Sequence, residues 1–427
     1  MVALSKATSA TRSRSVKSAI SGFAVLGATA LILSGCSSPA TTSGTPSKTL
    51  TLKIGSILPQ TGSLAVLGPP EFAGIDLAIK DINAAKAGIK ISVEHKDSGD
   101  TTTNIATQSA TAELADGVSA IIGAASSSVS LTMIDQITKA KVVEFSPANT
   151  SPTFSTYADG GYYWRDAPSD VLQGRVLGQK VLKDGHTNVS VLYQNDSYGG
   201  GLDKNVVKAI TDGGGTVGKN VAFDPAATSF SSDVTSVLSS KPDALVVISF
   251  DQIKSIIPEL KKNNFNFANM YGSDGNYGVI NPAYKDADIA GAQFTNPGVN
   301  ASAAFQAQLQ ALVSSQGNKA LTVFSYAPES YDATVLLALA ALQGKGTSGT
   351  VLKDNLQAVS EGGTKCTTFA ACAKLINAGT DIDYDGHSGP ITFDKNGDPS
   401  QAYISIYKYA TGNTNAYETA QFGDLNK

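Results

Sequence analysis

Residues 120–150, AIIGAASSSVSLTMIDQITKAKVVEFSPANT, constrain the fold more than any other stretch of the chain. They read as strand, helix, strand. The apolar run 120–122 stops at Gly123, and Ser126, Ser127 and Ser128 open a segment in which Val129, Met133, Ile134 and Ile137 recur at helical spacing. A second apolar run, 142–145, ends at Ser146-Pro147. Two strands joined through a helix in a right-handed crossover bring their C-terminal ends to the same edge of a parallel sheet. That edge then carries a hydroxyl-rich helix N-terminus beside a second loop, Ala148-Asn149-Thr150. The unpaired amides of a first helical turn, at the positive end of the helix dipole, suit a small anion such as a carboxylate. The plain alternative is that Ser127 or Ser128 is only an N-cap. The two roles can coexist.

The same rhythm runs along most of the chain. A strand over 49–58 stops at Pro59, and a helix follows with Phe72, Ile75, Ala78, Ile79 and Ile82 on one face. A strand at 89–94 leads through an acidic turn into another helix. Repeated β-α units of this kind predict a doubly wound parallel sheet. After a short strand at 162–165 the pattern restarts. Helices are expected near 171–182, 202–211, 231–239 and 253–262, with strands at 189–193, 217–223, 244–248 and 270–272. Later come helices at 305–313 and 333–342 and a terminal strand at 402–409. At 427 residues and 42% hydrophobic composition, two lobes with substantial cores are the default.

The first 36 residues stand apart. Lys6, Arg12, Arg14 and Lys17 precede an apolar run over 19–33, as in a secretory signal. Leu33-Ser34-Gly35-Cys36 is similar to the lipobox of bacterial lipoproteins, which implies cleavage before Cys36 and lipidation of its thiol. An uncleaved membrane anchor is the alternative, though the apolar run is short for a span. The Ser/Thr/Pro/Gly-rich residues 37–48 fit a flexible tether. In an oxidising compartment the two remaining cysteines, Cys366 and Cys372, are expected to close a small surface loop as a disulfide. The alternative, a metal pair, lacks a neighbouring histidine.

Several kinds of chemistry find no support. The net charge is -4 and only four arginines occur, without a basic stripe, so nucleic acid is not an expected partner. His95, His186 and His387 show no metal spacing, and neither a metal nor a cofactor is expected. Residues 381–386, DIDYDG, copy the first half of a calcium loop, but Gly389 and Thr392 stand at its ninth and twelfth positions, leaving an acidic hairpin turn as the expectation. No nucleophile elbow and no phosphate-binding G-x-x-x-x-G-K-[ST] is present, so an enzyme is not expected.

Gly123 to Ser130 followed by SPANTSP, and the opening IGSILPQTGSLAVLGPPEFAGIDLAIKDIN with its Gly, Ala and Ile-Asn spacing, resemble the leucine/isoleucine/valine-binding family of ABC-importer substrate-binding lipoproteins. The resemblance extends from about Leu50 onward. It implies a type I periplasmic-binding fold of class α/β, in which two doubly wound parallel-sheet lobes are joined by a hinge of several crossings. One lobe would comprise residues 49–168 plus about 293–390, the other 169–292 plus about 391–427, with crossings near 293–300 and 386–393. By the same resemblance, Ser127 and Thr150 stand where a ligand carboxylate is bound, and Ala148 where a carbonyl meets an ammonium. Asp274 matches the acidic partner of that ammonium, and Tyr198 an aromatic that closes over the ligand. Phe250 and Tyr326 fall at positions lining the side-chain pocket, and Leu67 replaces a residue that is often Tyr. The implied partners are a small-molecule ligand, an amino acid first of all and branched-chain or aliphatic by family, and a permease with separate ATPase subunits. The implied state is a monomer, lipid-anchored on the outer face of the bacterial membrane. A ligand sensor of the same fold, or a binder of amides, urea or aromatic acids, is the alternative.

Overall fold

The computed structural model describes residues 49–425; the expected signal segment, Cys36 and the tether lie outside them. The first sheet is built from β1 (Leu50–Leu58), β2 (Ile89–Asp97), β3 (Ala120–Gly123), β4 (Val143–Ser146) and β5 (Tyr163–Arg165), with helices α1 (Gly68–Ala85), α2 (Ile105–Ala115) and α3 (Ser127–Lys139) between the first four. Its order is β2-β1-β3-β4-β5, and all pairings are parallel. The winding therefore reverses between β1 and β3, and in open parallel sheets the crevice at that switch point is where ligands bind. β3 and β4 are buried at every position, as strands covered on both faces must be.

The chain then enters a second unit of α4 (Asp170–Lys183), β6 (Asn188–Gln194), α5 (Ser197–Asp212), β7 (Thr216–Phe223), α6 (Ser231–Leu238), β8 (Ala244–Ile248), α7 (Ile253–Lys262), β9 (Met270–Gly272) and β10 (Gln293–Pro297). It returns to the first core through α8 (Ala303–Ser315), α9 (Ala327–Gln343), α10 (Gly349–Leu356), β11 (Thr364–Cys366), α11 (Phe369–Asn377) and β12 (Ile382–Tyr384). α9 is buried from Ala327 to Leu342, the all-round burial of a helix at the centre of a lobe. β13 (Gln401–Ala410) and β14 (Thr414–Asp424) complete the second sheet, whose order is β14-β13-β10-β9-β8-β6-β7. That sheet is parallel from β7 to β10 and antiparallel beyond.

Four expectations are corrected. The second lobe does not end at residue 292, because β10 is buried between β9 and β13 and its backbone groups are satisfied only inside that sheet. The expected crossing at 386–393 falls later, because Ile391 and Phe393 still pack in the first core and the chain joins the second sheet at Gln401. Cys366 and Cys372 are disulfide-bonded, with Cα atoms 5.4 Å apart, but both lie buried in the first core rather than on a surface loop. Residues 382–384 are strand β12 beside β11, not a hairpin turn. Lys365 Nζ sits 3.0 Å from Asp383 and 2.8 Å from Asp385, supplying the positive charge that the acidic run attracts. Among the described residues no helix is long and apolar enough to cross a membrane.

Candidate functional site

The first-lobe half of the site is the helix N-terminus after β3 and the loop after β4. The cap of α3 is Ser126 rather than Ser127 or Ser128. Its side chain makes no capping bond, and its buried Oγ has no partner. The facing loop is fixed from behind. Asn149 Nδ2 donates to the carbonyls of Ala124 and Ala125, both at 2.9 Å, while Asn149 Oδ1 accepts from the Tyr163 hydroxyl at 2.9 Å. Arg165, the largest fully buried side chain, donates through Nη1 to the carbonyls of Asn149 and Ser151 at 3.2 and 2.8 Å. Ser151 N donates to Ser127 Oγ at 3.3 Å, which ties the loop to α3.

The second-lobe half centres on Asp274, just after β9. Its carboxylate is 4% exposed. Oδ1 accepts from Tyr198 OH at 2.7 Å and Gln173 Nε2 at 2.8 Å, and Oδ2 accepts from Tyr326 OH at 2.7 Å. Burial raises the Asp274 pKa, and the three donors hold part of that rise back. Burial first, and then Asp274 itself, push the Tyr198 and Tyr326 hydroxyls well above their ordinary range, so both remain donors. The Tyr198 ring also stacks on Phe250, with centroids 5.2 Å apart and planes at 16°.

Asp170, the first residue of α4, is a functional candidate that the sequence did not disclose. Ser169 caps the helix through Val171 N, so the pair Ser-Asp reads as an ordinary helix start. The structure buries Asp170 completely, with its amide donating to the Thr150 carbonyl at 2.7 Å. Neither carboxylate oxygen of Asp170 has a hydrogen-bond partner, nor does Thr150 Oγ1. Burial, and next the charge of Asp274, raise the Asp170 pKa well above the carboxylate range, although the nearby Thr150 hydroxyl eases this in part.

The lobes meet across this region. Besides Tyr326 to Asp274, Ser197 N donates to Ser128 Oγ at 3.0 Å, and the Ser151 and Ser197 hydroxyls are 2.9 Å apart. Of the residues singled out in the sequence, Ser127, Ala148, Tyr198, Phe250, Asp274 and Tyr326 line one small cavity, joined by Leu64, Leu67, Ala125, Ser126 and Gly275. Thr150 does not line it; it is buried, and its carbonyl accepts from the Asp170 amide. The cavity measures ≈ 10 Å³, the room of about one water. An amino acid therefore enters only as the lobes part.

Two other constellations carry less. Ser56, His95 and Asp76 form a chain, Ser56 Oγ to His95 Nδ1 at 2.6 Å and His95 Nε2 to Asp76 Oδ1 at 3.0 Å. Ser56 is fully buried on β1, and the cavity along α1 reaches Asp76 and His95 but not Ser56. Glu94, Glu113 and Asp116 place carboxylate oxygens within 4.8 Å of one another, and Lys96 Nζ lies within salt-bridge range of all three as their counter-charge.

Residues 51–412 match the family model described as "Periplasmic binding protein". An uncharacterized protein of Methanocaldococcus jannaschii is 25% identical over 248 residues, 55% of this chain and 60% of that protein. The leucine-specific-binding protein of Salmonella typhimurium is 29% identical over 178 residues, 40% of this chain and 46% of that one, so these matches span only about half of the relatives' length. The chemotactic signal transduction system substrate-binding protein BasB of Halobacterium salinarum is 25% identical over 365 residues, covering 82% of this chain and 85% of its own. The crystal structure of a leucine-binding protein from Thermotoga maritima superposes with a TM-score of 0.69 at 21% identity, over 86% of this chain and 98% of that one.

Proposed function

The chain belongs to the periplasmic binding protein family, and from that premise we propose that it captures an α-amino acid between its lobes outside the cytoplasm and delivers it to the permease of an ABC importer. The observation that carries this is Asp274, a buried carboxylate that lines one cavity with the N-terminus of α3, whose capping hydroxyl is unpartnered; buried Asp170, raised by burial and then by the charge of Asp274, adds a second acid nearby. An ammonium placed between the acids relieves their repulsion. A carboxylate at α3 completes hydrogen bonds for Ser126, Ser127 and the first-turn amides. The ammonium nitrogen and the carboxyl carbon of an α-amino acid are both bonded to the α-carbon, which suits half-sites that close on each other.

The remaining lining, Leu64, Leu67, Ala125 and Phe250, is apolar. It favours an aliphatic side chain, in keeping with the leucine specificity named for the Salmonella relative. The open form is populated without ligand, and capture shifts the population to the closed form. Cys36 carries the lipid that holds the chain to the membrane, a state tested by whether Cys36→Ala releases the protein from the membrane fraction.

A thermal-shift screen of the mature domain against amino acids, amides, urea and aromatic acids tests the ligand class, because a ligand bound only by the folded state raises Tm. Aliphatic amino acids should give the largest shifts. A shift from benzoates or amides and none from amino acids would sink the α-amino-acid assignment. One observation favours a second role for the same capture: the relative covered over 85% of its length is named for chemotactic signalling. Uptake of labelled ligand that persists in a strain lacking this chain would favour sensing over import.

A further inference from the structure

A second cavity, of ≈ 280 Å³, lies at the hinge and shares the Tyr326 wall with the cleft. Both lobes build it. Tyr277, Tyr407 and Tyr417 come from the second lobe, Ser325 and Glu329 from the return segment, and Asn296 from β10. Glu329 is 2% exposed, and no Lys, Arg or His is among the lining residues. Asn296 Oδ1 and Ser325 Oγ are buried acceptors without a partner. Burial pushes the Glu329 carboxyl up to about 8, and Glu71 and Asp166, both buried, are raised by burial and then by the charge of Glu329. This end of the molecule thus gathers buried acids, with no basic side chain among the cavity's lining residues to answer them.

The tyrosines contribute surface rather than donors. Tyr277 OH already donates to Asn415 Oδ1 and Tyr407 OH to Asn300 Oδ1, each at 3.2 Å, and the two rings pack with centroids 4.3 Å apart. A bare metal ion needs several oxygens converging at about 2.0–2.6 Å, whereas this cavity is far larger and presents a single carboxylate. Aromatic walls with one acid suit a bulkier, weakly hydrated cation.

We propose that the hinge cavity binds a small organic monocation of the alkyl- or quaternary-ammonium class, with Glu329 as its counter-charge and Tyr277, Tyr407 and Tyr417 as its walls. The site stands independently of the ligand assigned to the cleft. Because both lobes contribute, an occupant is held best when they are closed.

Calorimetric titration of the full chain with choline chloride tests this, alongside 3,3-dimethylbutanol, which has the same shape without the charge. Choline should bind and the neutral isostere should not. Glu329→Gln should weaken choline by at least about tenfold while its melting temperature holds or rises, since it removes an acid whose ionisation burial disfavours. Asp274→Asn should keep choline affinity, which separates this site from the cleft. Should Glu329→Gln not fold, Tyr417→Ala, at a residue 45% exposed, should weaken choline instead. The proposal is overturned if wild type gives no choline heat, if the isostere binds equally, or if the variant at position 329 (or at 417 in its place) binds like wild type. Loss of choline binding in Asp274→Asn would equally overturn it.

Discussion

Arg165 and Asp398 face each other through two parallel hydrogen bonds, Nε to Oδ1 at 2.6 Å and Nη2 to Oδ2 at 2.9 Å, across a sequence separation of 233 residues. The third arm of the guanidinium holds the loop that carries Ala148 and Thr150. One ion pair thus links the last return of the chain to the donor half of the cleft.

Removing one partner of a buried pair leaves the other charge stranded, so Asp398→Ala should lose about 3–5 kcal/mol of stability in urea unfolding. Ligand affinity should fall with it, as the loop loses its clamp. Burial pushes the Asp398 pKa up, but the charge and hydrogen bonds of Arg165 prevail and hold it below the usual range. A depressed carboxylate stabilises above its unfolded pKa of about 4. That contribution is lost as pH falls through the folded value, and Asp398→Asn should not show this acid-side loss.

Asp170, buried within reach of the Asp274 charge, should respond with opposite signs in the free and bound states. Without ligand, Asp170→Asn removes one of two mutually repelling buried acids and should raise Tm. With an α-amino acid as titrant, both Asp170→Asn and Asp274→Ala should cost about 2–5 kcal/mol of binding, at least roughly thirtyfold in Kd. Undiminished affinity in Asp274→Ala would remove that residue from the site.

Glu113 provides a pH signature outside the cleft. Burial, opposed by Lys96, raises its carboxyl to about 7. The native state therefore holds a proton that the unfolded state has released, and stability should decline as pH rises from about 4.5 through about 7. Glu113→Gln should flatten that decline. Urea midpoints measured at both ends of the window decide it.

The Cys366–Cys372 bridge closes a short loop, which in the chain-entropy picture is worth about 2 kcal/mol. Cys372→Ala should show that loss in unfolding experiments and leave ligand affinity unchanged, because neither cysteine lines the cleft.

The β-α alternation was legible because buried parallel strands are short apolar runs and their helices repeat every three to four residues. What periodicity could not supply was membership. Residues 293–297 look the same whether they cross the hinge or close a sheet. β14 went unread because its residues are mostly exposed and polar, the mark of an edge strand with little apolar signal. Near the cavity, the order of strand ends and family likeness pointed to Ser127 and Ala148, which line it, and to Thr150, which does not. Asp170 was hidden by its resemblance to a helix-opening acid. Gln173 sits inside a helix, where only the fold reveals that its amide reaches Asp274.

The donor loop owes its shape to Asn149, Tyr163, Arg165 and Asp398, none of which lines the cleft, while Leu64, Leu67 and Phe250 line it from strand-end loops. Scaffold and selectivity filter are consequently written in separate parts of the chain. If the cleft binds as proposed, a designed variant that exchanges those three side chains should change which ligand is preferred and leave the loop's shape intact.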